Sequence, residues 1–244
     1  MDNIQPLGCS VKIYVSDIHR FGTDAVLLAD FASPKRSDEA CDLGTGCGII
    51  PLLWCRMDAP KSITAVDIQP DAVELVKKSI ELNGLQNRIT PLEHDLRQQF
   101  DGHNARYTLV TMNPPYKTVT GGVQSLEKGR LIARHEVTCT MNDAANAASR
   151  LLKSGGRFCV CHRPERLVDV MSAMRENGIE PKRLRLVCQR DGAQPNLVLV
   201  EGKKDSHSGI VIEPNLFIEG ENGEFSTEMK EIYKEYNKAK EQLK

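Results

Sequence analysis

Short apolar runs alternate with helical patterns of apolar residues through most of this 244-residue chain. Runs rich in apolar and β-branched residues predict buried strands at 39–45, 62–68, 88–94, 107–112 and 157–162. Apolar residues that recur every three to four positions predict helices at 22–32, at 49–56, from Asp71 to Asn83, at 142–153 and at 164–176. Strands that alternate with helices in this way predict an α/β fold whose parallel strands are joined by right-handed crossovers.

The ends of these elements carry capping and turn signals. Thr23 or Asp24 is expected to cap the first helix, and Asp71 with Glu74 three residues later has the spacing of a capping box. The helix stops are predicted at Asn83-Gly84, Ser154-Gly155-Gly156 and Asn177-Gly178. Two apolar runs, 183–189 and 195–202, flank Asp191-Gly192-Ala193, which predicts an antiparallel hairpin at the end of the sheet.

The last part of the chain has a different composition. Residues 213–244 contain eight glutamates and five lysines, a net charge of −3, yet 228–243 have the apolar spacing of an amphipathic helix. Its apolar face is predicted to consist of Met229, Ile232, Tyr233 and Tyr236. We therefore expect one domain over 1–212, with 1–35 as an N-terminal extension packed on it, and a strand and helix of 213–244 appended to that domain.

Composition narrows the class of protein. There are 32 basic and 33 acidic residues, so the net charge is −1 and nucleic-acid binding through bulk positive charge is disfavoured. No apolar run approaches the roughly 20 residues of a membrane span, and the first residues do not have the pattern of a secretory signal. The eight cysteines are expected to be reduced thiols in a cytoplasmic protein. The close pair Cys159-x-Cys161 has the wrong spacing for zinc, so no metal site is predicted.

A glycine-rich loop follows the first predicted strand of the alternating pattern. It reads Asp42-Leu43-Gly44-Thr45-Gly46-Cys47-Gly48 and leads directly into a predicted helix. Glycines let the backbone turn tightly and let a ligand approach it closely. Ile49 stands where a nicotinamide-binding fingerprint needs a small residue, so that class of cofactor is disfavoured. The residues expected to bind a cofactor here are Asp42, Gly44, Thr45, Gly46 and Gly48.

Two further acids follow the next strands. Asp67 lies 25 residues after Asp42, near the offset at which a carboxylate reaches a ribose diol, and Ile68 can pack on a base. Asp95 and Leu96, after the third strand, are expected where an adenine amino group is bound. A tight turn beside a solvated strand end is the structural alternative. Glycines and acids together favour a single-nucleoside cofactor, most simply S-adenosylmethionine.

The most specific motif is the tetrapeptide Asn113-Pro114-Pro115-Tyr116, directly after the strand at 107–112. The prolines remove two backbone donors, so carbonyl oxygens remain free to accept. The Asn113 side-chain oxygen and the Pro114 carbonyl form a fork for one planar NH₂ group, and Tyr116 offers a face for ring stacking. A proline-rich turn is the alternative. The motif predicts methylation of a conjugated amine.

With these motifs in this order, the chain resembles the class I S-adenosylmethionine-dependent methyltransferases, and within them the bacterial tRNA(1)(Val) adenine-37 N6-methyltransferase family. The narrower resemblance rests on Arg20–Leu28, on the tetrapeptide and on Ala133-Arg134-His135-Glu136. It implies a Rossmann-like fold with a mostly parallel seven-stranded sheet, an antiparallel C-terminal hairpin and helices on both faces.

The resemblance also implies roles for particular residues. Asp42 and the loop glycines would hold the methionine part of the cofactor, Asp67 the ribose and Asp95 the adenine, while residues 113–116 would hold the target amine. The substrate would be an adenine in the anticodon arm of a tRNA, without an obligate protein partner and without a membrane. Contacts with that RNA are expected from a second set of residues: Arg134, His135, Lys182, Arg183 and Arg185.

Three alternatives stay open at the level of sequence. The same fork fits the side-chain amide of a glutamine in a release factor, although few residues precede Phe21 to form the helical domain that such enzymes usually carry. It also fits the N2 amine of guanine in ribosomal RNA. A non-catalytic binding module is the third alternative, and the intact glycine loop and tetrapeptide argue against it.

Overall fold

A mostly parallel β-sheet with helices on both faces forms the centre of the protein. The computed structural model describes residues 2–114 and 139–241, with side chains as far as Lys234. The strands are β1 (Asn3–Gly8), β2 (Val11–Val15), β3 (Glu39–Leu43), β4 (Ser62–Asp67), β5 (Ile89–Glu93), β6 (Tyr107–Met112), β7 (Leu152–His162), β8 (Ile179–Cys188), β9 (Pro195–Lys204), β10 (Val211–Ile212) and β11 (Leu216–Phe217). The helices are α1 (Thr23–Ala32), α2 (Ile49–Arg56), α3 (Pro70–Asn83), α4 (Met141–Leu151), α5 (Leu167–Glu176) and α6 (Thr227–Glu241), with a 3₁₀ turn at Pro164–Arg166.

The strand order confirms the predicted architecture. Seven strands follow the order β5-β4-β3-β6-β7-β9-β8, and all adjacent pairs are parallel except those made by β9, which is antiparallel to β7 and β8. The two-residue strands β10 and β11 both pair with the outer edge of β8. The short strand β10 was not predicted, because two residues give no periodicity, whereas β11 lies within 213–244, where a strand was expected.

Two apolar clusters cover the two faces of the sheet. Side chains alternate along each strand, so Leu109 of β6 joins one cluster and Val110 joins the other. The first cluster includes apolar residues of α1, α2 and α3, and the second those of α4 and α5. Trp54 of α2 is fully buried and its indole N–H donates to the Ala29 carbonyl of α1 at 3.0 Å. The core is therefore continuous from the sheet to the helices on each face.

The N-terminal residues form an antiparallel hairpin of β1 and β2, separate from the main sheet. Leu7 and Ile13 anchor it in the first apolar cluster. The hairpin was not predicted, because β1 contains a proline and ends in a glycine and neither strand is a continuous apolar run. The predicted helix at 22–32 is confirmed as α1, but its predicted cap is wrong: Gly22 is the N-cap residue and no side chain caps the helix.

The predicted capping box of α3 is also wrong. The helix begins at Pro70, and Gln69 takes the N-cap position without a side-chain hydrogen bond. Proline is favoured at the first helical position because its φ is already helical and it has no N–H to satisfy. The carboxylate of Asp71 lies 3.0 Å from His19 Nε2 instead. The predicted end of this helix is confirmed, since Gly84 adopts the left-handed conformation at the C-cap.

The boundary between α4 and β7 lies earlier than predicted. The helix ends at Leu151, and β7 begins at Leu152, so the predicted stop at Ser154-Gly155-Gly156 lies within the strand. A Cβ atom on Gly156 would come within 2.9 Å of the Leu152 side chain and the Lys153 carbonyl oxygen. Glycine is therefore used here for close packing rather than for ending a helix.

A buried ion-pair cluster ties the end of α1 to the far half of the sheet. Arg157 of β7 pairs with Glu201 at 3.0 Å and with Asp38 at 3.2 Å. The same guanidinium donates to the carbonyl of Ala32 at 2.8 Å, across 125 positions of sequence. Arg183 of β8 also pairs with Glu201, at 3.2 Å. The helix end is thus held by residues that lie much later in the chain.

The predicted amphipathic C-terminal helix is confirmed as α6. Met229 is fully buried, and Ile232 and Tyr233 pack partly buried against the first apolar cluster. The helix contacts β1, α1 and β11. Tyr236 lies outside the described side chains, so its predicted place on this face stays a prediction.

The sequence also predicted reduced thiols, and it predicted neither a metal site nor a membrane span. All eight cysteines are free thiols, as predicted. Residues 2–114 and 139–241 contain no group of three or more potential ligand side chains placed to hold a metal ion. No helix in these two stretches is both long enough and apolar enough to cross a bilayer.

Candidate active site

The predicted functional residues follow the carboxyl ends of four neighbouring parallel strands. The glycine loop follows β3, Asp67 ends β4, Asp95 lies two residues after β5, and Asn113 follows β6. Since β6, β3, β4 and β5 are adjacent and parallel, their ends lie along one edge of the sheet. Open α/β sheets bind their ligands in the crevice at this edge.

The glycine loop makes a tight turn between β3 and α2. Gly44, Gly46 and Gly48 all have positive φ, at +65°, +55° and +82°. The Thr45 N–H donates to the Val66 carbonyl of β4 at 2.9 Å, and the Gly48 N–H donates to the Thr45 carbonyl at 2.9 Å. Residues other than glycine adopt this left-handed backbone conformation only at a cost in free energy, so the loop needs glycine at these positions.

Asp67 connects this loop to the start of α3. Its Oδ2 accepts the Gly46 N–H at 2.8 Å, and its Oδ1 accepts the Gln69 N–H at 3.0 Å. The side chain is nearly buried, and the Asp67 backbone carbonyl accepts the His94 N–H at 2.9 Å. A carboxylate has about four acceptor positions, so both oxygens can take further donors. One residue thus fixes the loops that follow β3, β4 and β5.

Asp42 is a buried carboxyl group beneath the loop. It is only 1% exposed, and the Thr111 hydroxyl of β6 donates to its Oδ1 at 2.7 Å. Burial raises the pKa of Asp42 to about 7, although the Thr111 hydrogen bond acts in the opposite direction. The carboxyl group therefore titrates near neutral pH and responds to any charge placed beside it.

Three features around the loop test whether a nucleoside cofactor fits these residues. Thr45 Oγ1 is buried close to the Asp42 carboxyl group, whose pKa it helps to lower. A Cβ atom on Gly46 would meet nothing within 4 Å, so there is open space above the loop. Ile68 is 46% exposed directly after the Asp67 carboxylate. A buried hydroxyl, an open cradle and an exposed apolar side chain are the features that such a ligand requires.

Asp95 makes a close pair with a residue that the sequence did not single out. The Arg97 N–H donates to Asp95 Oδ1 at 3.0 Å, and Arg97 Nη2 lies 2.5 Å from Oδ2. This hydrogen bonding to Arg97 holds the pKa of Asp95 below its ordinary value. Leu96 is partly buried against the second apolar cluster, and its carbonyl accepts Arg150 Nη2 at 2.9 Å. The backbone after β5 is therefore held firmly in place.

Asn113 lies half-buried at the end of β6. Its Oδ1 is 3.0 Å from the thiol sulfur of Cys161 on β7, one of the eight cysteines expected to be reduced thiols. Pro114 is also half-buried. Pro115 and Tyr116 lie outside the described residues, as do Arg134 and His135.

The other basic residues predicted to contact substrate lie on β8 and are used within the fold. Arg183 Nε is 2.8 Å from Glu213, and its Nη2 donates to the Phe31 carbonyl at 2.9 Å. Arg185 pairs with Glu228 of α6 at 2.7 Å. The Lys182 ammonium donates to the His207 carbonyl at 3.2 Å.

The sheet also separates these basic residues from the tetrapeptide. Leu184 is level with Met112 through the paired residues Val160 and Val200. Three strand spacings separate β8 from β6, about 14 Å at the usual spacing. The structure therefore does not group Lys182, Arg183 and Arg185 with Asn113.

Two residues beside the site had only weak signals in the sequence. Thr111 is a polar residue of β6, and the register of β3 with β6 places it level with Asp42. Asp24, in the first turn of α1, is half-buried, and burial raises its pKa while Arg163 opposes that effect. A polar side chain beside an apolar run was the available signal in both cases.

Comparison with known sequences gives consistent matches. Residues 13–177 match the family described as the methyltransferase small domain. The chain is 28% identical to a tRNA1(Val) (adenine(37)-N6)-methyltransferase from Parabacteroides distasonis, over 92% of this chain and 92% of that protein. It is 29% identical to a protein of the same name from Yersinia pseudotuberculosis, over 62% of this chain and 57% of that protein.

Solved structures share the fold. A predicted O-methyltransferase from Agrobacterium tumefaciens superposes with a TM-score of 0.69 at 22% identity, covering 87% of this chain and 96% of that one. The tRNA m1G37 methyltransferase of M. jannaschii superposes with a TM-score of 0.56 at 18% identity, covering 84% of this chain and 57% of that one. At these identities the similarity supports the fold alone.

Proposed function

Because the chain belongs to the methyltransferase small domain family, we propose that it transfers a methyl group from S-adenosylmethionine to N6 of an adenine in tRNA. The single observation that carries this substrate is the match to the Parabacteroides tRNA1(Val) (adenine(37)-N6)-methyltransferase over 92% of both chains. Adenine 37 of a valine tRNA is accordingly the proposed target. The proposed setting is the cytoplasm, where the anticodon arm of the tRNA would be the partner.

The residues at the carboxyl edge of the sheet are proposed to bind different parts of the cofactor. Gly44, Gly46 and Gly48 allow close approach of the ligand to the loop, and Thr45 Oγ1 offers a buried hydroxyl. Asp67 keeps acceptor capacity for two adjacent ribose hydroxyls, although it already accepts two backbone N–H groups.

Other residues are proposed to bind the adenine and methionine parts of the cofactor. Ile68 supplies an exposed apolar surface for the adenine, and Asp95 and Leu96 supply the polar contacts at its edge. Asp42 provides a buried carboxyl group below the loop, where the methionine part would lie, and a positively charged ligand there would favour its ionised form. When bound, the cofactor supplies an electrophilic methyl group on a positively charged sulfur.

The tetrapeptide holds the amine that accepts the methyl group. Asn113 Oδ1 and the Pro114 carbonyl each accept one hydrogen of the planar NH₂ group, which draws the nitrogen lone pair out of conjugation with the ring. Tyr116 stacks on the ring, as its place in the motif suggests. The amine nitrogen would displace the neutral thioether from the methyl carbon and would then release its proton to water, so no strong base is required. Orientation and proximity can supply about 7–11 kcal/mol of the rate enhancement.

The RNA must present the base outside its stack. Enzymes that act on a base edge take a splayed or flipped nucleotide, and an anticodon loop offers unpaired bases. Arg134 and His135, which follow the tetrapeptide in sequence, are proposed to contact the neighbouring phosphate or ribose. Lys182, Arg183 and Arg185 are weaker proposals, because their side chains already bond within the fold. One catalytic domain over 1–212 with 213–244 appended remains the proposed organisation.

The test is methyl transfer to tRNA isolated from a strain that lacks this gene. Purified protein and isotopically labelled S-adenosylmethionine should produce N6-methyladenosine in valine tRNA, detected by mass spectrometry of the digested nucleosides. Labelled N2-methylguanosine in ribosomal RNA, or labelled glutamine in a release factor offered in parallel, would replace the tRNA proposal. Cofactor binding without transfer to any of the three substrates would favour a non-catalytic module.

A further inference from the structure

Cys161 and Asn113 are brought side by side by the pairing of β6 with β7. Met112 is paired with Val160 in the parallel register, so the next residues on each strand are neighbours. Cys161 is completely buried, and its sulfur lies 3.0 Å from Asn113 Oδ1 with the thiol as donor. The contact therefore involves the same oxygen that the proposed function assigns to the target amine.

The two ends of an asparagine side chain are nearly equal in size but opposite in hydrogen bonding. The oxygen accepts two hydrogen bonds, whereas the NH₂ group only donates. An amide turned by 180° would present its hydrogens to the hydrogens of the target amine and would repel them. A group that fixes which end faces the amine is therefore needed for the fork to work.

The Cys161 thiol has the properties that such a group requires. Burial raises the pKa of this thiol well above its ordinary value, and the nearby Asp24 and Asp42 carboxyl groups raise it further. It therefore stays protonated at neutral pH and acts as an S–H donor. Its hydrogen bond occupies one acceptor position of Asn113 Oδ1 and leaves the second for a ligand.

We propose that Cys161 is a positioning residue that holds the Asn113 amide with Oδ1 available to the target amine. The inference rests on the proposed methyl transfer to an amine, and it assigns Cys161 no contact with substrate or cofactor. Loss of the thiol should therefore slow the methyl-transfer step while the affinities for cofactor and RNA stay the same. A hydroxyl in its place should preserve much of the rate, because it also donates a hydrogen bond.

The experiment compares Cys161→Ala and Cys161→Ser with the wild-type protein in single-turnover methylation of tRNA. Cys161→Ala should lower the rate about three- to tenfold, the usual worth of one hydrogen bond. Cys161→Ser should stay within about twofold of the wild type, and KM for tRNA and Kd for S-adenosylmethionine should change less than about twofold in both variants. An alanine variant with the wild-type rate, or a serine variant as slow as alanine, would overturn the inference.

Cys159→Ala is the matched control. Cys159 lies on the same strand and the same face of the sheet, is also completely buried, and its sulfur contacts Glu201 at 3.5 Å instead of the tetrapeptide. Loss of this thiol removes a similar volume but should leave the single-turnover rate unchanged. An equal loss of rate in both alanine variants would attribute the effect to packing and overturn the positioning role.

A double-mutant cycle in urea unfolding tests the contact without using activity. Cys161→Ala, Asn113→Ala and the double variant should reveal coupling of about three- to tenfold in the unfolding equilibrium constant. A coupling factor of one would overturn the inference, whatever the substrate. A wild-type protein that shows no transfer to tRNA would instead overturn the proposed function, and the coupling factor would still decide the thiol–amide contact.

Discussion

Asp67 Oδ2 accepts the backbone N–H of Gly46 at 2.8 Å, so the acid that ends β4 is bonded to the glycine loop that follows β3. The other oxygen of the same carboxylate accepts the Gln69 N–H. The residue proposed to hold the ribose is therefore also a structural link between two loops of the site.

Asp67→Asn should weaken cofactor binding. The amide keeps one acceptor but loses the charge, and its NH₂ end cannot accept the Gly46 or the Gln69 N–H. We expect the Kd for S-adenosylmethionine to rise about tenfold or more in isothermal titration, which is the cost of one charge-assisted hydrogen bond. Asp169→Asn, an exposed acid of α5 paired with Arg166, is the control and should bind normally. Normal binding by Asp67→Asn would remove this carboxylate from the cofactor site.

Alanine substitutions at two glycines should distinguish a loss of cofactor affinity from a loss of protein stability. Gly46 and Gly84 both have positive φ and open space where a Cβ would lie. Gly46→Ala and Gly84→Ala should each cost about 1–2 kcal/mol of unfolding free energy from backbone strain. Gly46→Ala alone should lose cofactor affinity in titration, because its methyl group enters the proposed cradle. Equal binding by the two variants would place the cofactor elsewhere.

Gly48→Ala should affect the fold itself. A Cβ atom there would lie 3.0 Å from Val76 Cγ2 of α3, and φ is +82°. Crowding is added to the strain, so we expect urea unfolding to show a larger loss than in Gly46→Ala, about 2–4 kcal/mol. A Gly48→Ala protein as stable as Gly84→Ala would mean that α3 shifts away without cost.

The stability of the protein should fall as Asp42 ionises. The pKa of Asp42 is about 7 in the folded protein and 3.8 in its ordinary state. Between these pH values the folded state binds more protons than the unfolded state, so the unfolding free energy decreases as the pH rises from about 4 to 7 and this contribution is constant above. Asp42→Asn should remove a contribution on the order of 2–4 kcal/mol from the difference between pH 5 and pH 7.5. Identical pH dependence of urea unfolding in both proteins would refute this assignment.

Asn113→Ala should abolish most turnover and spare cofactor binding. The alanine removes one acceptor of the proposed fork, and misplacement of a reacting amine can lower the rate about 100-fold. Kd for S-adenosylmethionine should stay within about threefold of the wild type, since Asn113 is assigned to the amine. Asn146→Ala on the exposed face of α4 is the control and should retain full activity. An active Asn113→Ala enzyme would refute the fork.

The sequence predicted those parts of the fold that depend on local pattern. The strands β3, β4 and β6 and the helix α2 lie where apolar runs and the glycine loop predicted them, because buried parallel strands are almost continuously apolar. The hairpin β1–β2 and the short strand β10 were not predicted. Their stability comes from partners elsewhere in the chain, as when Leu7 packs into the core beneath α6.

In the candidate site too, local pattern predicted some residues but not their partners from distant parts of the chain. Asp42, Asp67 and Asn113 were predicted because motif and strand end coincide, and their place on one edge of the sheet follows from parallel pairing. The partners that define their chemistry were not predicted, since Thr111 and Cys161 lie on other strands, 69 and 48 positions away in sequence. Likewise the carboxylate of Asp71 bonds to His19, 52 positions earlier, instead of capping its own helix.

The ion-pair cluster around Arg157 has a consequence for the synthesis of the protein on the ribosome. Arg157 bonds the Ala32 carbonyl across 125 positions, and Arg183 bonds the Phe31 carbonyl across 152. At about 5–20 residues per second, the interval between synthesis of α1 and synthesis of Arg157 is roughly 6–25 s. During that interval the apolar residues of α1 have left the ribosome without their partners on β7. The carbonyl groups at the end of α1 therefore stay without these partners until after residues 42–116 of the proposed site have been synthesised.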